Sequence, residues 1–157
     1  MTANTTKITP HFTIGELIAS STATRLHLAN IPTPEALRRL LGTAEMLERV
    51  RSTLDAPVII TSGYRGPALN RAVGGVTSSD HMSGQAADII APRFGTPYQI
   101  AKTLAPLVSV LGIGQLILEG VKGKQWVHVS TRIPEKPSNR VITITDAGAQ
   151  LGIQVLS

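Results

Sequence analysis

One ten-residue segment is the most informative part of the chain: Ser79-Asp80-His81-Met82-Ser83-Gly84-Gln85-Ala86-Ala87-Asp88. His81 and Asp88 stand seven positions apart, with mostly small residues between them. A second histidine, His128, follows forty positions after Asp88, in Trp126-Val127-His128-Val129-Ser130. Two imidazoles and one carboxylate suit Zn²⁺, and three protein ligands leave the fourth tetrahedral position open for water, as in catalytic zinc sites. The spacing therefore predicts one zinc ion bound by His81, Asp88 and His128.

Each of these residues has an ordinary alternative when it is taken alone. His128 by itself is more often a surface or core histidine, and Asp88 is often a hydrogen-bond acceptor at a strand end. The compact Ser-x-His-x-x-Gly-x-Ala-x-Asp string, together with the later histidine, is far less expected by chance. The other two histidines, His11 and His27, have no partner motif and are not predicted to be ligands.

Zinc lowers the pKa of bound water to about 7 and so supplies a nucleophile near neutral pH. Hydrolysis of an amide also needs a base that takes the water proton and a group that stabilises the oxyanion. The metal-ligand pattern therefore predicts a zinc hydrolase that uses metal-activated water.

Size and composition favour one globular domain spanning residues 1–157. The chain is 42% hydrophobic and long enough to bury a stable core. It has no cysteine, which excludes disulfides, thiolate metal ligands and cysteine nucleophiles. The segment from Met1 to Pro10 is polar, so no signal peptide is predicted, and no apolar run is long enough for a transmembrane segment.

The net charge of +5 favours an anionic partner, or it serves only solubility. Only 3% of the residues are aromatic, and they do not alternate with basic residues. A nucleic-acid surface that depends on base stacking is therefore not expected. Anionic lipids and bacterial wall polymers remain as anionic partners, and we expect a monomer.

The order of predicted elements indicates an α+β fold. Helices are predicted for a short stretch after the Thr13 cap, for 33–53, for 68–72 and from Thr96, and strands for 58–61, 86–90, 115–119, 125–131, 141–145 and, weakly, 152–156. Residues 21–32 are predicted to be a loop, and 120–124 a hairpin connection. Helices gather early and antiparallel strands late, so we expect a small central antiparallel sheet that carries the zinc site, with helices mainly on one side.

These motifs resemble the zinc D-Ala-D-Ala carboxypeptidase superfamily, which includes bacterial wall carboxypeptidases, dipeptidases and bacteriophage endolysins. The hedgehog signalling domain shares its fold. The resemblance looks closest to the small phage and prophage branch. It rests on Phe12-Thr13-Ile14-Gly15-Glu16-Leu17, Ser62-Gly63-Tyr64-Arg65, Asn70, Gly74-Gly75, the two metal motifs and Gln115-Leu116-Ile117-Leu118-Glu119.

The resemblance implies that His81, Asp88 and His128 are the zinc ligands and that Arg65 binds substrate at the active site. A guanidinium offers a fixed fork of donors to a carboxylate or an oxyanion. The alternative for Arg65 is an exposed arginine in a turn. Ser79 is expected to hydrogen-bond to substrate or near the metal, or else to cap its loop. Asp80, beside it, is expected either to orient an imidazole or to be a solvated charge.

The sequence departs from the superfamily at the general base. Many of these enzymes carry a glutamate three residues before the last histidine, and this chain has Gln125 there. Glu119, on the neighbouring strand of the predicted hairpin, is the best local candidate for a catalytic base. Its alternative is a strand-end charge that faces water. Trp126 either walls the cleft or packs in the core.

The expected function is a zinc-dependent peptidoglycan peptidase that cuts stem-peptide or cross-link amide bonds, in a phage or prophage lytic setting. Without a signal peptide, the protein would act at the wall after holin release or as part of a virion. One alternative is a zinc-containing wall-binding or virion module that has lost catalysis, as Gln125 suggests. Another is a D-Ala-D-Ala carboxypeptidase or dipeptidase.

Overall fold

The computed structural model describes residues 5–156, and the bounds of its elements are as follows. The strands are β1 (Lys7–Thr9), β2 (Phe12–Thr13), β3 (Ile59–Ser62), β4 (Ala86–Ile90), β5 (Gln115–Val121), β6 (Lys124–Ser130), β7 (Val141–Thr145) and β8 (Gly148–Leu151). The α-helices are α1 (Ile14–Ile18), α2 (Ser21–Arg25), α3 (Pro34–Leu54), α4 (Pro67–Ala72), α5 (Pro97–Leu104) and α6 (Val108–Leu111). Short 3₁₀ turns cover Ala105–Leu107 and Pro137–Asn139.

The long helix α3 begins and ends where local chemistry dictates. The Thr33 hydroxyl accepts a hydrogen bond from the Ala36 backbone N–H at 3.1 Å, and Pro34 occupies the first helical position, where a missing N–H costs nothing. The helix stops at Asp55, which adopts the left-handed conformation with φ 48°. The apolar face buried against the rest of the molecule is Ala36, Leu40, Ala44, Met46, Leu47, Val50 and Leu54.

Six strands form the main sheet in the order β3-β4-β6-β5-β7-β8. All neighbours are antiparallel except β5 and β7, which run parallel. The predicted α+β fold, with helices on one side of the sheet, is confirmed. The parallel pairing of β5 and β7 was not predicted, because we expected a wholly antiparallel sheet. It arises because the chain leaves β6 and crosses through residues 131–140 before it pairs with β5 from the other side.

Strand alternation separates the core from the site. Leu116 and Leu118 on β5, with Val127 and Val129 on β6, are fully buried and join the helices in one hydrophobic core. The side chains at the intervening positions lie on the other face of the sheet. There Asp88 lies opposite His128, and Glu119 lies opposite Trp126.

Three local expectations were wrong or shifted. The predicted loop 21–32 contains helix α2, because the Ser20 hydroxyl caps it by accepting from the Ala23 backbone N–H at 3.1 Å. The last strand spans Gly148–Leu151 rather than 152–156, since an exposed edge strand carries no apolar alternation. The hairpin connection narrows to Lys122 and Gly123, which both have positive φ, as in primed two-residue turns.

No helix among residues 5–156 combines the length and the apolar character needed to cross a membrane.

Candidate metal centre and active site

The imidazole of His81 is fixed by a backbone carbonyl. Its Nδ1–H donates to the Gly63 carbonyl oxygen at 2.7 Å, and the side chain is 2% exposed. With the proton committed to Nδ1, Nε2 of a neutral ring presents its electron pair to the site. That nitrogen lies 3.2 Å from Asp88 Oδ1, so two electron-rich atoms face each other. A proton or a metal cation must stand between them.

The small residues of the metal motif let its loop pack onto α3. Gly84 has φ +79°, and a Cβ there would collide with the Ala36 carbonyl oxygen. The Thr43 hydroxyl on α3 donates to the Gly84 carbonyl oxygen at 2.7 Å and is fully buried. A side chain at position 84 would therefore force the loop and α3 apart or strain the backbone.

Asp88 and His128 are brought together by the register of β4 and β6. The two residues lie directly opposite each other, and His128 Nδ1 lies 3.1 Å from Asp88 Oδ1. The rings of His81 and His128 meet edge to face, with centroids 5.1 Å apart. One ligand atom from each of the three buried residues lies within 4.8 Å of the others. The predicted trio thus converges in the fold.

The electrostatics of the trio favour a cation. Burial alone raises the pKa of Asp88, but positive charge between its carboxylate and His81, together with the hydrogen bond from His128, outweighs burial and holds the pKa well below its ordinary value. Burial lowers the pKa of His128, but its hydrogen bond to Asp88 and the Asp88 charge outweigh this and raise it. A buried carboxylate that stays ionised between two imidazoles fits a divalent metal, and two nitrogens with one oxygen match the donor set of zinc.

Arg65 lines the same cavity as the trio, which has a volume of about 500 Å³. Its backbone N–H donates to the His81 carbonyl oxygen at 3.0 Å, and its Nη2 donates to the Ser79 hydroxyl at 3.4 Å. The guanidinium Nε is buried and has no hydrogen-bond partner among the described residues. Burial lowers the pKa of Arg65, and the charges of Asp88 and Glu119 oppose that shift.

Glu119 also lines this cavity, on the sheet face that carries His128. Burial raises the pKa of Glu119 and the charge of Asp88 raises it further, while His128, Arg65 and the Trp126 side chain oppose the rise. The net result is a carboxyl group with a raised pKa at the side of the metal cluster. Trp126 walls the cavity rather than packing in the core.

Gln125 lies elsewhere. It is exposed, pairs with Gly120 and lines a different cavity at the far end of the hairpin. Because side chains alternate along a strand, Gln125 leaves β6 on the face opposite to Trp126 and His128.

Two residues have roles in the site that were not predicted from the sequence. The first is Gly63, whose carbonyl orients His81 and whose missing Cβ allows contact with the Leu17 carbonyl oxygen. The quoted Ser-Gly-Tyr-Arg segment was its only signal. The second is Asp80, which does not orient an imidazole: it accepts hydrogen bonds from the Ser130 hydroxyl at 2.8 Å and from Arg132 Nε at 2.6 Å.

A mixed sheet with two histidines and an aspartate clustered in the lining of one cavity is the arrangement expected of a metallopeptidase. The sequence profile of the family described as Peptidase M15 matches residues 10–130. The chain belongs to the Peptidase M15 family, within the zinc D-Ala-D-Ala carboxypeptidase superfamily, as its motifs predicted. A search of curated proteins found no match.

Proposed function

We propose that this protein is a zinc-dependent peptidase that hydrolyses stem-peptide or cross-link amide bonds of bacterial peptidoglycan. The observation that carries the proposal is the buried cluster of His81, Asp88 and His128, which opens into a cavity shared with Arg65 and Glu119. Membership of the Peptidase M15 family supports both the metal and the reaction class.

His81, Asp88 and His128 would hold the zinc ion. When bound, zinc supplies Lewis acidity to the scissile carbonyl and to water. The Gly63 carbonyl keeps the His81 proton on Nδ1, which leaves Nε2 as the ligand atom. Nδ1 of His128 donates to Asp88 Oδ1, so binding of a metal through that nitrogen would release its proton.

Arg65 would bind the negative charge of the substrate. Its half-buried side chain lines the cavity, so the guanidinium would donate to a peptide carboxylate or to the oxygen of the scissile carbonyl as charge develops there. Ser79 contacts Nη2 and would hold the fork in position while its hydroxyl remains near the substrate.

Glu119 would act as the general base. A carboxylate beside the cluster can take a proton from the attacking water and return it to the departing amine nitrogen. Its raised pKa brings it closer to that of a proton shuttle at neutral pH. Gln125 lies on the other sheet face and Glu119 lines the cavity, which supports an active peptidase over the alternative of an inactive wall-binding or virion module.

A phage or prophage lytic enzyme is the setting we propose, with one peptidase domain over residues 1–157 that acts as a monomer at the wall. One hydrophobic core joins helix α3 to the sheet, which supports a single domain. A second candidate is a D-Ala-D-Ala carboxypeptidase, favoured by Arg65, because its fork suits a free terminal carboxylate.

The test is incubation of the zinc-loaded protein with purified peptidoglycan, with and without a chelator, followed by mass spectrometry of the released fragments. Chelator-sensitive release of new peptide termini is expected, and the fragments distinguish internal cleavage from loss of terminal D-Ala. Intact peptidoglycan from several wall types, with zinc still bound, would contradict the proposal.

A further inference from the structure

Arg132 follows β6 and lines the cavity that contains the trio, Arg65 and Glu119, which we call the metal cavity. Its Nε donates to Asp80 Oδ1 at 2.6 Å, and its backbone N–H donates to the Ser130 hydroxyl at 3.1 Å. Ser130 is fully buried and donates in turn to Asp80 Oδ2 at 2.8 Å. Both oxygens of the buried Asp80 carboxylate are therefore used to fix this one arginine and its strand.

The outer end of Arg132 remains available. The side chain is 45% exposed, and its Nη atoms have no hydrogen-bond partner among residues 5–156. An exposed arginine normally loses rotamer freedom when it binds a ligand. Here the bond at Nε has already restricted the side chain, so the remaining donors are preorganised.

A second cavity adjoins the metal cavity at this arginine. It measures about 470 Å³ and shares Ser78, Ser79, Asp80 and Arg132 with the metal cavity. Its other walls carry mainly hydroxyl and charged groups, including Thr33 and Thr77. Arg39 also lines it, but its Nη2 pairs with Glu35 at 2.9 Å, whereas Arg132 pairs through Nε and keeps both Nη atoms without a partner among the described residues.

We propose that Arg132 and this second cavity form a subsite for a branch carboxylate of the substrate, separate from the group that Arg65 binds. The inference rests on the proposed function for its substrate class, an acidic wall stem peptide. Since Asp80 neutralises the formal charge of Arg132, recognition comes from the directed Nη donors rather than from net positive charge. The subsite favours stem peptides whose branch carboxylates are free over those in which they are amides.

The test is a binding measurement that needs no turnover. Trp126 is the only tryptophan in the chain and lines the metal cavity, so its fluorescence reports occupancy. The zinc-loaded protein is titrated in the cold with the tetrapeptide L-Ala-γ-D-Glu-diaminopimelate-D-Ala. The comparison peptide has both branch carboxylates converted into amides and the C-terminal carboxylate kept free. Mass spectrometry checks that each peptide is still intact.

The acidic peptide should bind the wild-type protein about tenfold more tightly than the amide. Arg132→Gln should remove this preference and leave the affinity for the amide unchanged. Arg132→Lys keeps the positive charge but lacks the paired guanidinium donors, so it should retain only part of the preference for the acidic peptide. Arg93→Gln, at an exposed arginine outside both cavities, is the matched control and should behave as wild type.

If the wild-type protein binds the two peptides with equal affinity, or binds neither peptide, the subsite is overturned. Both results come from the wild-type protein and so do not require any variant to fold. An equal loss of affinity for both peptides in Arg132→Gln would also overturn the subsite, because that result would mean that Arg132 only stabilises the local structure. A retained preference for the acidic peptide without any chelator-sensitive cleavage would keep the subsite and reject the peptidase.

Discussion

Glu119 and Gln125 lie on the two strands of one hairpin, yet their side chains leave the sheet on opposite faces. The carboxylate that lines the metal cavity is therefore Glu119, although a family comparison by position in the sequence draws attention to Gln125. Strand alternation decides between them, and this requires the register of β5 and β6, which the sequence suggested but did not establish.

Glu119→Gln should keep zinc bound and lower kcat by about 10²- to 10⁴-fold, because it removes the proposed proton shuttle without touching a ligand. Steady-state kinetics and elemental analysis of the same sample measure both effects. Gln125→Glu is the matched control and should leave kcat unchanged. Undiminished turnover in Glu119→Gln would assign the base elsewhere.

Gly63→Ala should lower the free energy of unfolding by about 2 kcal/mol, because the new Cβ collides with the Leu17 carbonyl oxygen. The same shift moves the carbonyl that orients His81, so zinc affinity should fall by about tenfold. Denaturant unfolding and a competitive zinc titration measure the two effects. Gly42→Ala, in an open helical position, should stabilise the protein instead. Equal behaviour of the two variants would contradict this role for Gly63.

At the scale of elements, local capping signals predicted two helix starts correctly, whereas the pairing of distant strands was not predicted. The capping box of Thr13 and Glu16 and the Thr33-Pro34 helix start are confirmed, because each depends on residues three or fewer positions apart. The β1–β2 hairpin and the parallel β5–β7 pair were missed. The β5–β7 pair joins distant residues such as Leu116 and Val141, and no local pattern encodes it. The β1–β2 hairpin is local, but its strands are only three and two residues long, too short to show the alternation that predicts a strand.

One such long-range contact joins the β1–β2 turn to α3. The backbone N–H of His11 donates to Glu48 Oε2 at 2.6 Å, and His11 Nδ1 lies 2.7 Å from Oε1. Burial alone would raise the pKa of Glu48, but the hydrogen bonds from His11 and its charge outweigh it and lower the pKa. The contact between His11 and Glu48 therefore holds the β1–β2 turn against helix α3.

Glu48→Gln should lower the free energy of unfolding by about 1 kcal/mol at neutral pH. A carboxyl with a lowered pKa in the folded state stabilises it above the unfolded pKa, and this stabilisation is lost as the pH falls through the folded value. The difference between variant and wild type should therefore shrink in acid. Denaturant unfolding across pH measures it, with Glu45→Gln, at an exposed position on the same helix, as control. A difference that persists in strong acid would contradict the assignment.

For the whole molecule, the candidate site was predictable as a set of residues but not as a geometry. His81, Asp88 and His128 stood out because their types and spacing are rare together. Which ring nitrogen of His81 faces Asp88 could not be predicted, since it depends on the Gly63 carbonyl from a separate segment. The Asp80–Arg132 contact likewise joins residues 52 positions apart and leaves no local pattern.

Because the trio links β4, β6 and the loop packed on α3, zinc should stabilise the whole fold. A ligand that binds only the folded state at 100 times its Kd adds about 2.7 kcal/mol to the free energy of unfolding. Zinc should therefore raise the melting temperature of the wild-type protein, and a chelator should reverse the rise. His128→Ala should melt at the same temperature with and without zinc. A zinc-dependent rise in that variant would place the metal elsewhere.

The most direct measurement is an anomalous difference map from crystals grown with zinc, with data collected on both sides of the zinc absorption edge. One strong peak bounded by His81, Asp88 and His128 is the expected result. A peak at another position, or none in crystals of protein that binds zinc stoichiometrically in solution, would contradict the proposed metal centre and the peptidase function built on it.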